Sequence, residues 1–235
     1  MALESEDRPS DSPYIARVWR GYATGVEQMT SVAVSNWEIV FWEHHGLPHV
    51  ALRGPETVAS IADVPDDSHS FGISFSHGTS IPHLPARQLV DAQLESPHVT
   101  AETFVLRGNE WEVPDFENAE EFVARLVREG VLVRDPVVDD VVAGELPKTG
   151  ARSVQRRVAA STGLTQSAIR QIERARQAAI LLGEGTSPLD VVRRLGYYDQ
   201  PHLSRSLARF IGRTATQLQR QDGAEPLSLL YKTER

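Results

Sequence analysis

The sequence predicts an α+β protein: a β-rich N-terminal domain, built as a sandwich or barrel, followed by an all-α C-terminal domain. Three observations predict it. Short segments rich in Val, Ile, Phe and Trp, broken by Gly, Pro, Asn and Asp, fill residues 14–75. From residue 137 onward, apolar residues recur at three- and four-residue spacing instead. The charge also changes sign. Residues 1–147 hold 9 Lys/Arg against 25 Asp/Glu, a net −16, whereas residues 148–235 hold 15 against 7, a net +8.

A length of 235 residues suits two modest domains. The absence of Cys excludes disulfides and cysteine-ligated metal, and fits a cytoplasmic location. No stretch approaches the roughly 18 consecutive apolar residues of a membrane span. The opening MALESEDRPSDSP is acidic and rich in Pro and Ser, unlike a signal peptide, so residues 1–13 are expected to be a disordered tail.

Within 14–134 the strand segments are SVAVSNWEIVFWEHH, HVALRG, TVASIA and SFGISFSHG, with turns at Gly46-Leu47-Pro48, Gly54-Pro55 and Pro65-Asp66-Asp67. Residues 83–93 suggest a short helix. Residues 117–129 predict a firm one, since Phe122 and Leu126, and Val123 and Val127, recur four apart before the Gly130 stop. Asp135-Pro136 opens the second domain, 136–221, and 222–235 reads as a tail from which Leu229, Leu230 and Tyr231 could dock.

In the second domain a short helix from Val137 precedes a turn, LPKTG, and the helix ARSVQRRVAAST. A long helix over 166–182 follows, with Ile169, Ile172, Ala175, Ala179 and Leu182 along one side. Ser187-Pro188-Leu189-Asp190 supplies an N-cap, an N1 proline and a first-turn acid. The helix so started is expected to bury Leu189, Val192 and Leu195. QPHLSRSLARFIG and TATQLQRQ close the domain.

Two segments of this domain share one build: a short helix, a Gly-containing turn, and a second helix with one apolar and one basic face. In the later copy Leu203, Leu207, Phe210 and Ile211 form the apolar stripe, and His202, Arg205 and Arg209 lie opposite. In the earlier copy Val154 and Val158 face inward while Arg152, Gln155 and Arg156 project together. Arg matches guanine bidentately and Gln matches adenine, so such faces suit direct readout of double-stranded DNA. The bland alternative is a pair of solvated helix faces.

From Arg-x-Val-Gln-Arg at Arg152–Arg156, through Gly163-Leu164-Thr165, Arg174, Arg176 and Ala178-Ala179, the stretch resembles the DNA-binding domain of the AraC/XylS family of bacterial transcription regulators. Ser187-Pro188, Gly196-Tyr197, Leu203-Ser204-Arg205-Ser206-Leu207 and Phe210-Ile211-Gly212-Arg213-Thr214 continue it in order. The resemblance implies a double helix-turn-helix domain reading two adjacent major-groove segments. Arg152, Gln155 and Arg156 would be the base- or phosphate-facing residues of the first unit, and Gln200, Pro201, His202 and Arg205 those of the second. Val158 and Leu207 stand where the family usually has Phe, Ala215 replaces a common Pro, and the first unit starts with a terse helix and a Pro147-Lys148 turn.

Residues 9–21, the strand stretch and FGISFSHGTSIPHLPARQLVD resemble the β-rich domain preceding this module in one branch of the family. That likeness implies a cupin-like sandwich or barrel acting as a sensor or dimerisation domain. The partners then expected are double-stranded DNA and a small-molecule effector, with RNA polymerase and a second copy of the chain as candidates and no membrane. Weak effector-contact candidates are Trp37, Trp42 and His44. Seven of the eight His fall within the first 98 residues, yet they are scattered over turns, so no metal, catalytic residue or cofactor is expected. The competing readings are a metal-dependent cupin-like enzyme fused to a DNA-targeting domain, and a ligand-independent dimerising DNA-binding protein.

Overall fold

A computed structural model describes residues 2–64, 67–146, 150–223 and 225–228, and it has the predicted α+β order. Strands come first: β1 (Ala2–Arg8), β2 (Ile15–Thr24), β3 (Gln28–Ser31), β4 (Glu38–His44), β5 (Leu47–Arg53), β6 (Ser60–Asp63), β7 (Ser68–Phe75), β8 (Thr79–Ser80), β9 (Gln93–Glu95), β10 (Thr103–Leu106) and β11 (Asn109–Glu112). Helix α1 (Ala119–Arg128) and strand β12 (Val133–Arg134) complete the N-terminal part. Then come α2 (Pro136–Ala143), α3 (Ala151–Thr162), α4 (Gln166–Gly183), α5 (Pro188–Leu195), α6 (Gln200–Phe210) and α7 (Ala215–Arg220).

The main sheet is antiparallel in the order β1-β2-β7-β4-β5-β9. It is open, with β1 and β9 at its edges, so the expected barrel does not close. Phe41 opposite Phe71, and Ile39 opposite Ile73, set the register of the two central strands. A slip by one residue would turn these apolar side chains to the wrong face. Phe41, Phe104, Phe122 and Trp111 interlock edge-on beneath α1, forming the first core.

Several expectations are corrected at this level. Residues 2–8, expected as tail, form β1 against β2, and Arg8 is clamped by Glu120 of α1 at 2.6 and 2.8 Å. The β4–β5 hairpin turns at His45-Gly46, both at positive φ, as a two-residue loop with that twist requires; Leu47 and Pro48 already belong to β5. Residues 83–93 give only a single 3-10 turn at Ala86–Gln88 before β9. Their Pro82 and Pro85 withhold the amide donors a longer helix needs. Residues 225–228, also read as tail, lie beside β3, where Ser228 N–H donates to Thr30 O at 2.8 Å. Part of the Pro65-Asp66-Asp67 turn, the Pro147-Lys148 turn, and Leu229, Leu230 and Tyr231 lie outside the described residues.

The second core gathers Val154, Val158, Ile169, Ile172, Leu182, Leu203, Leu207 and Ile211 around α4. Val158 and Leu207 are completely buried there. On α5 the buried residue is Val191, and Leu189 is 55% exposed. Val192 and Leu195 pack partly buried against the same core, so of the three expected residues only Leu189 is turned outward.

Packing crosses the boundary between the two parts. Val32 and Ala33 belong to the helical core. Ala33 N–H donates to Phe210 O and Ala59 N–H to Arg209 O, both at 2.8 Å. Arg176 of α4 is 4% exposed and donates to Ala33 O at 3.0 Å. A buried guanidinium must be hydrogen-bonded to be tolerated, and here the N-terminal part supplies an acceptor.

Candidate nucleic-acid interface and an aromatic cavity

Helix α4 is the axis on which the candidate interface is built. Thr165 caps its N-terminus through Ala168 N–H, and its 18 residues give about 27 Å of rigid rod. Helices α2 and α3 pack on one part of it, α5 to α7 on another. Arg174 fastens the second group: its guanidinium lies 4.4 Å from the Tyr197 ring centroid and reaches Gly196 O at 3.5 Å. Burial raises the Tyr197 phenol pKa, and its hydroxyl pairs with Ser206 of α6 at 3.1 Å.

On α3, Val154 and Val158 point into the core, so the i+1 and i+2 positions point out. Arg152, Gln155 and Arg156 are all exposed there. Neither arginine has an acidic partner among the described residues. The next residue, Arg157, differs, because Asp135 holds it at 2.7 Å. The first turn of α3 has no side-chain cap.

On α6 the cap is strong. Asp199 accepts from His202 N–H at 2.7 Å, and Pro201 sits in the first turn, where it needs no amide donor. Gln200, Pro201 and Arg205 are exposed, and Arg205 has no acidic partner among the described residues. His202 is half-buried. Its Nδ1 accepts from Tyr198 N–H at 3.4 Å, and its ring meets the Tyr197 ring edge-on. It therefore braces the turn as well as bordering the face. Arg209 lies at the opposite end of the helix, with its guanidinium over Phe210 and its carbonyl bonded to the N-terminal part.

The two helices are contacted by the N-terminal part at the same end. On α3, Ser161 donates to His77 O at 2.8 Å, and Gly163 abuts Ala86 and Val90. On α6, the contacts fall on Arg209, Phe210 and Gly212. The leading turns, with Arg152, Gln155, Arg156, Gln200 and Arg205, are left exposed. Sequence reasoning missed Tyr198, a 90% exposed aromatic just before the α6 cap. Its available signal was a second Tyr after Gly196, because one ring suffices for the core. Asp139 of α2 joins the junction through Gly78 N–H at 2.7 Å and Arg134 at 2.8 Å.

The N-terminal part contains an open cavity of about 720 Å³, floored by Phe41 and Phe71 and lined also by residues 99–101 and 113–116. Of the three effector candidates, only Trp42 lines it, stacked on His49 at 5.1 Å. Trp37 is core: it stacks on Phe75 and donates its indole N–H to Thr79 O at 2.8 Å. His44 stacks on His45 in the β4–β5 hairpin, away from the cavity lining. Among the described residues no three His, Asp or Glu side chains are grouped to hold a metal ion.

A Ser–His contact occurs at the junction, where Ser35 Oγ lies 2.8 Å from His77 Nε2. Ser35 gives its only proton to Glu173 Oε1 at 2.6 Å, so His77 is the donor to Ser35. A nucleophilic serine would need the opposite polarity, with the imidazole accepting its proton. The chain His77 to Ser35 to Glu173 is arranged to join the sheet to α4. No helix among the described residues is long and apolar enough to cross a membrane. No family model matches this chain, and no curated protein or solved structure matches it.

Proposed function

We propose that this chain is a sequence-specific, double-stranded-DNA-binding transcription regulator of the AraC/XylS type. Its C-terminal part acts as a double helix-turn-helix, with α3 and α6 as recognition helices in adjacent major-groove segments. One observation carries the reading: Arg152, Gln155, Arg156, Gln200 and Arg205 stand exposed on the leading turns of two helices whose trailing turns carry the N-terminal part. The C-terminal Lys/Arg excess supplies phosphate affinity through counterion release, and the exposed faces supply base discrimination. The strongly acidic N-terminal part repels DNA from its own surface and so orients the approach. It serves as a cupin-like sensor domain for a small-molecule effector, with RNA polymerase and a second copy of the chain as further candidate partners.

The test is recovery of genomic DNA fragments by the purified full-length protein at ~0.15 M salt, where non-specific binding is weak, beside an Arg205→Ala control. A few enriched sites with two submotifs about one helical turn apart, lost in the control, are expected. The absence of enrichment, with and without cell extract as effector source, would overturn the proposal.

A further inference from the structure

The cavity of the N-terminal part combines three properties that together select a ligand class. Its volume, about 720 Å³, falls in the range that encloses a drug-sized molecule. Its walls are aromatic: Phe41 and Phe71 stack as its floor at 5.4 Å, and Tyr22 and Phe116 stand around them. Its ionisable lining is acidic.

That last property follows from accounting for each charge. Arg20 is the lone Lys or Arg among the lining residues, and the other basic groups are His49, stacked on Trp42, and His69, packed against Tyr22. Its guanidinium is held by Glu6 at 2.6 and 2.8 Å and lies 4.4 Å from the Phe116 ring centroid. Glu6 is thereby neutralised. Asp115 is engaged by the backbone N–H groups of Glu117 and Asn118 at 2.9 Å but keeps its charge. Glu4 and Glu43 have no basic partner among the described residues. Three carboxylates are left facing an aromatic cavity, in a region whose net charge is already −16 over residues 1–147.

We infer that this cavity binds a lipophilic organic cation, an aromatic amine, phosphonium or quaternary ammonium compound, as the effector of the protein. Ring faces carry negative potential, so a cation gains from Phe41 and Phe71 as well as from the carboxylates. An anion of equal size meets repulsion from both, and a neutral molecule gains only apolar contact. The inference rests on reading the N-terminal part as a sensor, but not on where the C-terminal part binds.

The experiment uses the full-length protein without DNA and two probes of one shape and opposite charge, tetraphenylphosphonium and tetraphenylborate. Calorimetry reads the binding. Saturable one-to-one binding of the phosphonium is expected, at least about tenfold tighter than the borate, a ratio equivalent to ~1.4 kcal/mol. Glu43→Gln, a substitution at an exposed position that keeps the fold as read by circular dichroism, should weaken the phosphonium roughly three- to tenfold. Equal or tighter binding of the borate, or no saturable binding of either probe, overturns the inference. Phosphonium binding unchanged in a folded Glu43→Gln protein also overturns it. A protein that recovers specific DNA yet ignores the phosphonium loses only this ligand assignment. One that binds the phosphonium but no DNA loses only the regulator reading.

Discussion

The hydroxyl of Ser35 lies 2.6 Å from the Glu173 carboxylate, tying the segment just before β4 to the middle of α4. His77, two residues beyond β7, approaches the same hydroxyl at 2.8 Å, and its carbonyl accepts from Ser161 of α3. β4 and β7 are the neighbouring strands whose Phe41 and Phe71 floor the cavity. The two strands that floor the cavity are thus continuous with segments hydrogen-bonded to two helices of the candidate DNA-binding part.

Because His77 is buried against this junction, its pKa is lowered, and the charges of Glu173 and Asp139 offset that only in part. A depressed histidine pKa means that the unfolded chain takes up a proton first as pH falls below the ordinary value near 6.5. The stability contributed by neutral His77 is therefore full above that value and declines below it, toward the folded-state pKa. Thermal midpoints between pH 7.5 and 5.5 should fall, and His77→Gln should flatten this part of the profile. A parallel profile in the variant would remove His77 from the linkage.

Arg205→Ala and Gln155→Ala should each cost about 1–3 kcal/mol in operator affinity if the side chain reads a base, with relaxed preference at one position of the site. A phosphate contact by Arg205 would instead give a uniform loss and a salt slope shallower by about one. Titration of parent and variants against site and scrambled duplexes at two salt concentrations separates the cases. Unchanged binding to every duplex would place both residues outside the interface.

Gly163→Ala should destabilise the protein by about 2 kcal/mol or more. The residue ends α3 at φ +73°, and an added Cβ would stand 2.6 Å from Val90 and 2.9 Å from the Ala86 backbone. The left-handed conformation alone costs about 1 kcal/mol without glycine, and overpacking adds a further 1–3. Urea unfolding measures the sum. A variant as stable as the parent would mean that α3 does not end against the N-terminal part in this way.

The Arg8–Glu120 clamp gives β1 a measurable anchor. Hydrogen bonding to Arg8 is the largest cause that lowers the Glu120 pKa to about 2. A depressed carboxylate pKa contributes stability above its ordinary value of 4.5, and that contribution is lost as pH falls toward 2. Both side chains are about a third exposed, so solvent screening limits the effect of Glu120→Gln at neutral pH to about 0.5–1 kcal/mol. The difference from the parent should shrink in acid. A difference from the parent that stays the same from pH 7 to pH 3 would show that the clamp acts through packing rather than charge.

By itself the sequence determined what depends on local spacing and local chemistry. The apolar stripe of α4, the buried Leu203-Leu207-Phe210-Ile211 edge of α6, the Ser187 and Asp199 caps and the span of α1 were legible because a helix exposes its period and its ends within a few residues. The exposure of Arg152, Gln155, Arg156 and Arg205 followed from the same period.

Only the tertiary structure decided what depends on a distant partner. Residues 2–8 have no strand signal of their own, and they become β1 because β2 offers an edge and Glu120, more than a hundred positions away, offers Arg8 a counter-ion. Leu189 lost its expected place to Val191 because an eight-residue helix is oriented by its neighbours more than by its own few apolar residues. Trp37 and Trp42 looked equivalent in the sequence, yet Trp37 fills the core on the side of Phe41 while Trp42 stacks on His49 on the other face of the sheet, since alternate strand positions face opposite sides. The cavity, its unbalanced carboxylates and the His77–Ser35–Glu173 chain join strands, loops and helices remote in sequence, and no local pattern encodes such a meeting.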